Sequence, residues 1–343
     1  MIGHTAARAW LRRAVATNRL AHAYLISGPR GVGRRTFALE VAMALNCLAQ
    51  EVEARPDRTC QQCRLIERNV HPDLRIVLRG ERRAIMLHAA PSGSPRDMVD
   101  YVDFIQSDAQ LRPIMARKKV YLILNAEELD QVAADRLLKT LEEPPPFVLF
   151  LLTAVDRSGL FPTVASRCQE IRLHPAERTE LASALVERGA DLERATQLAA
   201  LAGGRQGWAL AALNDPRLFE QQQAYARQLV EVIGASRVER LATSRYLSER
   251  WAAQPEAVRE MLRVWLSWWR DLLLMQLGLG ERVAHLERTE QAALHAAAEQ
   301  LSPSTARGAA DSLQQSLADL DANVNARLVL DLLVLQLPRA RLA

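Results

Sequence analysis

The chain has 343 residues, 49% of them hydrophobic and 24% charged, which is typical of a globular protein of two or three domains. Its net charge of +4 permits contact with nucleic acid but does not argue for it, because the sequence carries no lysine-rich tail. Four cysteines in a chain of this length argue against a disulfide scaffold, and no stretch resembles a signal peptide or a membrane span, so we expect a cytoplasmic protein.

Short apolar runs that alternate with helical patterns predict an α/β domain with a parallel sheet over residues 1–172. The expected helices include residues 5–22, Thr36–Leu48 and Ala126–Glu143. Three prolines, Pro144 to Pro146, end the last of these helices because they lack backbone donors. The predicted strands are Ala23–Ser27, Leu74–Leu78, Val120–Leu124, Phe147–Leu152 and Glu170–Leu173.

The second half of the chain reads as helical throughout. An Ala- and Leu-rich region predicts a small helical domain over residues 173–213, and residues 214–343 predict a larger one. Hydrophobic residues around Trp265 and Trp269 recur at helical spacing, which we interpret as helix–helix core rather than as a platform for base stacking. Residues 79–95 are expected to form a mobile loop.

The stretch GPRGVGRRT, residues 28–36, begins like a phosphate-binding loop. Such a loop aims backbone N–H groups at phosphates, while a lysine and a Ser/Thr hydroxyl complete the nucleotide and Mg²⁺ site. The backbone part is kept by three glycines, Gly28, Gly31 and Gly33. Arg34 and Arg35 replace the lysine and the hydroxyl, and Thr36 comes one residue late, about 100° away around the helix.

The metal-binding half of a nucleotide site is also missing where the third predicted strand ends. Consecutive acidic residues there would hold Mg²⁺ and position the attacking water, but the chain has Leu124 and Asn125, and Glu127 and Glu128 come too late. Three interpretations of the loop remain: a chance glycine turn, a working nucleotide hydrolase, or a degenerate loop. The combined loss of hydroxyl, aspartate and glutamate favours the degenerate loop, so we expect no ATP hydrolysis by this chain.

Ser166-Arg167-Cys168 lies where the chain leaves a loop before the last predicted strand. One interpretation of Arg167 is a solvated surface arginine. The other is an arginine finger, which enters a neighbour's ATP site, stabilises charge on the γ-phosphate and is worth about 10³ to 10⁵ in rate. We predict that Arg167 is catalytic in trans, with Ser166 and Cys168 as its motif.

Cys47, Cys60 and Cys63 have the spacing of part of a zinc site, because a C-x₂-C pair suits one edge of a tetrahedral centre. A fourth cysteine is expected near position 66, where the chain has Ile66. His71 is a candidate for the fourth ligand, although it could equally lead into the following strand. Zinc binding and reduced, metal-free thiols both remain open.

Several stretches together carry a resemblance to one known family. They are His22–Pro29, the Cys60/Cys63 pair with His71–Leu74, Leu137–Pro145, Pro162–Cys168 and Asn323–Leu328. The sequence Leu-Leu-Lys-Thr-Leu-Glu-Glu-Pro-Pro and the Ser-Arg-Cys motif are typical of clamp-loader subunits. The chain therefore resembles, over essentially its whole length, the delta prime family of bacterial DNA polymerase III clamp-loader subunits, which is related to the AAA+ ATPases.

The resemblance implies an AAA+-like parallel-sheet domain, a small helical lid and an all-α C-terminal collar that oligomerises, divided as 1–172, 173–213 and 214–343. It also implies a complex with delta and three gamma/tau subunits, which opens the beta sliding clamp and closes it around primer–template DNA. Arg167 would then project into the ATP site of an adjacent gamma/tau subunit. No membrane partner is implied.

The resemblance thus implies a non-hydrolysing stator subunit that helps to load the beta clamp during DNA replication. Many relatives keep a lysine at the position of Arg34, and active relatives carry a sensing arginine, for which Arg205 is the candidate, and a first sensor at the position of Thr153. The zinc module of the family has four cysteines, so Ile66 departs from it. Two alternatives remain: an active gamma/tau-type ATPase, and a stand-alone zinc-bearing protein that binds nucleic acid.

Overall fold

The computed structural model describes residues 2–17, 19–77, 98–284, 288–322 and 324–340. The loop expected at 79–95, together with Leu78 and Asn323, lies outside the described residues. The chain divides into two compact units. The first unit comprises Met1–Leu181 with Gly204–Gly207, and the second comprises Ala182–Gly203 with Trp208–Ala343.

The first unit is built on a parallel sheet, which in the described residues has five strands in the order β2-β3-β4-β1-β5. Four of these strands are buried along their whole length, as expected when helices cover both faces of a parallel sheet. The strands are β1 (Ala23–Ser27), β2 (Leu74–Val77), β3 (Lys119–Ile123), β4 (Val148–Ala154) and β5 (Gln169–Arg172). Every predicted strand is therefore confirmed. The prediction relied on apolar runs, which a sheet covered on both faces requires.

Alternate residues of the central strand serve the two faces of the sheet. Tyr24 and Ile26 of β1 face one apolar cluster, which includes Phe37, whereas Leu25 faces the other, which includes Phe150. The helices of this half of the chain are α1 (Thr5–Thr17), α2 (Arg34–Asn46), α3 (Gln61–Glu67), α4 (Met98–Ala109), α5 (Gln131–Glu142) and α6 (Pro162–Ala165). The carboxyl ends of the parallel strands share one edge, where a ligand site is expected in this type of sheet.

Two of the predicted helices end or begin elsewhere. The helix expected over residues 5–22 ends at Thr17, and the N–H of Ala21 donates to the Tyr24 hydroxyl at 2.7 Å instead of to a helical carbonyl. The helix expected from Ala126 begins at Gln131, because Asp130 caps it: its carboxylate accepts the third N–H of the helix at 2.8 Å. The hydrogen bond of the Asp130 side chain thus sets the start of α5.

The second unit is helical in all of its described regular structure. The remaining helices are α7 (Arg178–Val186), α8 (Leu192–Ala202), α9 (Gln206–Asn214), α10 (Pro216–Gly234), α11 (Arg237–Ala253), α12 (Pro255–Gln276), α13 (Arg288–Gln300), α14 (Pro303–Asp321) and α15 (Ala326–Gln336). In the described parts of the chain, none of the helices combines the length and the apolar character that a bilayer crossing demands.

The tryptophans of α12 form the centre of the second unit's core. Trp265, Trp268 and Trp269 are all fully buried. The indole N–H of Trp265 donates to the carbonyl of Tyr225 at 2.9 Å, and the rings of the other two meet edge to face at 5.1 Å. The interpretation of this cluster as helix–helix core is confirmed, since none of the three rings is accessible to a nucleotide base.

A buried arginine forms hydrogen bonds between α15 and other helices of the second unit. Arg240 of α11 is 4% exposed, and its guanidinium donates to the carbonyls of Ile233, Val334 and Pro338 at 2.8, 3.2 and 2.9 Å. Burial lowers the pKa of Arg240. Its donors satisfy carbonyls where α10 and α15 end, groups that a helix leaves without an internal partner.

The predicted α/β architecture is confirmed: a domain with a parallel sheet is followed by helices to the end of the described chain. The finer division at 172 and 213 stays a prediction. The two compact units separate between Leu181 and Ala182, and the short segment Gly204–Gly207 belongs to the first unit. Residues of that segment contact the glycine loop between β1 and α2.

Candidate functional site

The glycine loop joins β1 to α2 in the conformation that its sequence demands. All three glycines have positive φ, +151° at Gly28, +83° at Gly31 and +99° at Gly33. A Cβ on Gly28 would lie 2.6 Å from the carbonyl oxygen of Leu173, so a side chain there would clash with backbone. Only glycine adopts such a conformation without strain, and the strand–loop–helix shape of a phosphate loop is therefore retained.

A glutamine from the start of α9 packs onto this loop. The Gln206 side-chain amide donates to the carbonyl of Val32 at 2.6 Å, and its oxygen accepts the N–H of Ile2 at 2.8 Å. Gln206 is 4% exposed, and a Cβ on Gly33 would lie 2.9 Å from its amide nitrogen. The space above the loop's last glycine is thus filled by the chain itself.

Arg205, the candidate for a sensing arginine, lies against the same loop. A Cβ on Gly31 would be 3.1 Å from the Cβ of Arg205, and the Gly207 N–H donates to the Gly31 carbonyl at 3.1 Å. Arg205 therefore approaches the loop through the aliphatic start of its side chain. This contact was not apparent from sequence, because the two segments are separated by more than 170 residues.

Arg34, which replaces the phosphate-binding lysine, faces a carboxylate of its own chain. Its Nη1 lies 4.0 Å from Oε1 of Glu127, and the two side chains are 10% and 20% exposed. Burial lowers the pKa of Arg34, and the charge of Glu127 opposes that shift. Glu127 also accepts the N–H of Val155 at 3.3 Å, which holds its carboxylate at this edge of the sheet. The negative charge that a bound phosphate would place beside Arg34 is supplied here by Glu127 of the same chain.

The positions that should hold Mg²⁺ offer no carboxylate or hydroxyl. Leu124 packs on the apolar core beside α2, and Arg35 is exposed at the start of that helix. Asn125 has φ +52° and donates its N–H to the Thr153 hydroxyl at 3.0 Å. Thr153, the predicted first sensor, therefore makes a structural hydrogen bond with the backbone of its own chain. Leu124 and Arg35 offer no oxygen ligand and Asn125 offers only a neutral amide, so these groups do not fit the magnesium complex of a nucleotide, which needs the hydroxyl and the acidic residues.

Arg167 lies on the surface just after α6, where its side chain connects the turn after Pro162 with the end of α5. Its Nη1 donates to the Thr163 carbonyl at 2.7 Å, and its Nη2 forms an ion pair with Glu142, the last residue of α5. The Arg167 side chain is 31% exposed and that of Glu142 is 50% exposed. The guanidinium is therefore oriented by a short turn and a solvent-accessible carboxylate.

The neighbours of Arg167 in its motif have structural contacts. The Ser166 hydroxyl donates to the Thr163 carbonyl at 3.1 Å, which tightens the turn. Cys168 is 6% exposed within the core of the first unit, and burial raises the pKa of its thiol to about 11. A protonated, buried thiol is a packing group rather than a nucleophile.

The three predicted metal-binding cysteines lie together, and a fourth potential ligand joins them. Cys47 follows the last residue of α2, Cys60 caps α3, and Cys63 lies within α3. The sulfur atoms and a carboxylate oxygen of Asp57 all lie within 4.8 Å of one another. Sequence analysis did not place Asp57 with the cysteines, although its spacing, Asp57-x₂-Cys60-x₂-Cys63, repeats that of the cysteine pair.

Hydrogen bonds from the backbone support this cluster. The Asp57 Oδ1 accepts the N–H groups of Thr59 and Cys60 at 3.0 and 3.1 Å, and the bond from Cys60 contributes most to lowering the pKa of Asp57. The sulfur of Cys47 accepts N–H groups from Ala49 and Asp57 at 3.5 and 3.4 Å. Burial raises the pKa of the Cys63 thiol.

Neither of the positions that sequence suggested for a fourth ligand belongs to the cluster. Ile66 is 1% exposed and packs in the core of the first unit. His71 is also buried: its Nδ1 accepts the N–H of Asp73 at 3.0 Å, and its Nε2 is hydrogen-bonded to Gln62. His71 is thus committed to the entry of β2, and burial lowers its pKa.

Comparison with known proteins relates the chain to one replication complex. A sequence model of the family described as "DNA polymerase III, delta subunit" matches residues 3–177. DNA polymerase III subunit delta' of Bacillus subtilis is 26% identical over 95% of this chain and 94% of its own length. The delta' subunit of Pseudomonas aeruginosa is 34% identical over 68% of this chain and 67% of its own length.

The tau and gamma subunits match about half of this chain. DNA polymerase III subunit tau/gamma of Haemophilus influenzae is 38% identical over 49% of this chain, and the match spans 22% of that relative. The chain thus spans less than a quarter of that tau/gamma protein. Among solved structures, a DNA polymerase III gamma subunit-related protein from Thermotoga maritima superposes with a TM-score of 0.45 at 18% identity, over 95% of this chain and 97% of that one.

Proposed function

Because the chain belongs to the family described as DNA polymerase III, delta subunit, we propose that it is a non-hydrolysing delta prime subunit of the clamp loader. In this proposal it acts with delta and gamma/tau subunits to load the beta sliding clamp onto primed DNA. The match to a delta' subunit along nearly the whole chain supports this assignment over a gamma/tau-type motor, which matches half. We propose the three-domain division, at 172 and 213, and the cytoplasmic location on the same ground.

The observation that carries the non-hydrolysing assignment is the state of the glycine loop. Hydrolysis of a nucleoside triphosphate depends on a metal ion that bridges the phosphates, and on a residue that orients water. Here Arg34 faces Glu127, Gln206 fills the space above Gly33, and Leu124 and Asn125 occupy the metal positions. We therefore derive no catalytic step at this loop and assign it a structural role, the connection of β1 to α2.

Arg167 is proposed to act in trans as an arginine finger on a neighbouring gamma/tau subunit. A planar guanidinium pairs with phosphate oxygens through two parallel hydrogen bonds, an arrangement that a carboxylate mimics. The ion pair with Glu142 is solvent-exposed, and such pairs contribute at most about 1 kcal/mol. Exchange of Glu142 for a phosphate would therefore cost little, while the turn at Thr163 keeps the side chain oriented.

The collar assignment is supported by an apolar face on the last helix. Leu328, Leu332 and Leu335 of α15 are 65%, 57% and 45% exposed, and they recur at intervals of three and four residues along the helix. A contiguous exposed apolar face of this kind is typical of an interaction surface. We propose that it packs against the corresponding regions of neighbouring clamp-loader subunits.

Zinc is proposed as the metal of the cysteine cluster, because thiolates are its preferred ligands in structural sites. Cys47, Cys60 and Cys63 would hold it, and the bound ion would supply a structural cross-link between the segments that carry these cysteines. The residues it ties together are the end of α2 and the start of α3.

Reconstitution tests the proposed function directly. Delta, gamma/tau and beta subunits would be mixed with primer–template DNA and ATP, with and without this chain, and clamp loading followed by fluorescence transfer between labelled beta and DNA. Loading is expected only when the chain is present. Loading at the same rate without it would contradict the delta prime assignment. Efficient loading when the chain replaces gamma/tau would favour the alternative of an active gamma/tau-type ATPase. The 38% identity to tau/gamma is the observation that supports this alternative.

A further inference from the structure

The Asp57 carboxylate lies among three cysteine sulfurs, a position that the cysteine pattern alone does not explain. All four groups offer one ligand atom within 4.8 Å of each of the others. We propose that Asp57 is the fourth ligand of the metal held by Cys47, Cys60 and Cys63, so that the centre is a closed site of three thiolates and one carboxylate. This inference concerns metal binding alone and does not depend on clamp loading.

The distances suit a small tetrahedral ion. Zinc bonds of about 2.3 Å to sulfur and 2.0–2.2 Å to oxygen place the ligand atoms of a tetrahedron about 3.5–3.8 Å apart. The observed upper limit of 4.8 Å means that the four atoms need to close by no more than about 1 Å. Cys60 is the N-cap residue of α3 and Cys63 lies in its first turn, whereas Cys47 follows α2 and Asp57 lies between the two helices.

The two oxygens of Asp57 have different surroundings. Oδ1 accepts both backbone N–H groups, from Thr59 and Cys60, which fixes the orientation of the carboxylate. In the proposal Oδ2, which neither of these N–H groups contacts, makes a single bond to the ion. Such hydrogen bonds to a ligand's second atom are a regular feature of metal sites, where they orient the ligand.

Burial and charge also favour an ion here. Cys47 and Cys63 are 0% exposed and Asp57 is half-buried. Metal binding requires the thiolate and carboxylate forms, and several such anions in a buried cluster are costly unless a cation neutralises them. The Cys47 sulfur already accepts two N–H groups, from Ala49 and Asp57, which hold the sulfur in place within the cluster.

The simpler interpretation is that Asp57 only closes a turn before α3, as aspartates often do. Two substitutions separate these roles. Asp57→Asn retains the oxygen that accepts the N–H bonds but removes the anionic ligand. Asp57→Cys loses that acceptor but provides a fourth thiolate. A turn residue should be less disturbed by Asn than by Cys, whereas a metal ligand should show the opposite order.

The experiment uses the full chain loaded with cobalt(II), whose thiolate-to-metal absorption reports the number of bound sulfurs, followed by zinc competition with a chromogenic chelator. The unaltered chain should bind one ion with absorption typical of three thiolates. Asp57→Asn should weaken zinc binding by at least about tenfold. Asp57→Cys should bind at least as tightly as the unaltered chain and raise the absorption in the ratio of four thiolates to three.

The matched control is Asp130→Asn, because Asp130 also accepts a backbone N–H at a helix start but lies outside the cluster. It should leave metal affinity and absorption unchanged. The proposal is overturned if the unaltered chain binds no ion, if Asp57→Asn binds as tightly as the unaltered chain, or if Asp57→Cys adds no thiolate absorption. Absence of any bound ion in the unaltered chain would also overturn the zinc proposed above, whereas failure of the Asp57 variants alone would overturn only the carboxylate ligand. Clamp loading is not measured, so either result leaves the delta prime assignment untouched.

Discussion

The substitution Arg167→Ala removes the guanidinium that we propose acts on a neighbouring subunit. Within this chain the change is mild, because it breaks an exposed ion pair with Glu142 and one bond to the Thr163 carbonyl. An exposed pair contributes at most about 1 kcal/mol, so the free energy of unfolding should fall by no more than that. The melting temperature therefore serves as an internal control for folding.

The effect on the partner should be far larger than the effect on folding. Loss of an arginine finger slows phosphoryl transfer by about 10³ to 10⁵, which corresponds to about 4–7 kcal/mol of transition-state stabilisation. If one of three ATP sites in the complex receives Arg167 and the sites hydrolyse ATP independently of one another, the steady-state rate of ATP hydrolysis falls by about one third. If the sites fire in a coupled sequence, turnover falls towards zero.

The assay is DNA-stimulated ATP hydrolysis by the complex reconstituted with beta and primer–template DNA. Arg167→Lys keeps the charge but not the planar fork, and should recover only part of the lost rate. Arg112→Ala, at an exposed arginine of the same unit, is the matched control and should leave turnover unchanged. Unchanged turnover in Arg167→Ala would refute the finger assignment.

Three further predictions concern side chains around this arginine and in the two cores. Glu142→Gln removes the charge that holds Arg167 in the isolated chain, and turnover of the complex should not fall; a fall would mean that Glu142 positions the guanidinium. Arg240→Met leaves buried carbonyls without donors and should destabilise the chain by about 2–4 kcal/mol in denaturant unfolding, whereas the control Arg245→Met, on the same helix and 74% exposed, should change stability little. Cys168→Ala tests the buried thiol: because its pKa is raised from 9.0 to about 11, the folded state retains the proton longer than the unfolded state, so the thiol's contribution is complete below pH 9 and is lost between pH 9 and 11. That loss, on the order of 3 kcal/mol by linkage, should be absent from the alkaline unfolding curve of Cys168→Ala, and a decline of equal size in both proteins would disprove it.

The sheet could be predicted from sequence because burial on both faces requires strands that are apolar at successive positions. A strand such as β4 is apolar at nearly every position, and nothing else in its neighbourhood has that pattern. Helix boundaries were harder, since they depend on single hydrogen bonds. Asp130 is an ordinary acidic residue in the sequence, and only the structure shows that its carboxylate caps α5.

The candidate site was predictable where one short motif carries the chemistry. The glycine loop, the Ser-Arg-Cys motif and the three cysteines were all identified in this way. The contacts of Gln206 with Val32 and of Arg34 with Glu127 could not be, because they join segments far apart in the chain. Asp57 was missed for another reason: aspartate is common in turns, so its spacing from Cys60 carries little information until the side chains are seen together.

The central claim, that this chain contributes to catalysis without hydrolysing nucleotide itself, is tested most directly by phosphate release from the isolated protein. The purified chain would be incubated with ATP and Mg²⁺, with a gamma/tau subunit under the same conditions as the positive control. Our account predicts no release above the protein-free background, because Arg35, Leu124 and Asn125 stand where oxygen ligands for Mg²⁺ are needed. Repeated turnover by this chain alone would contradict it.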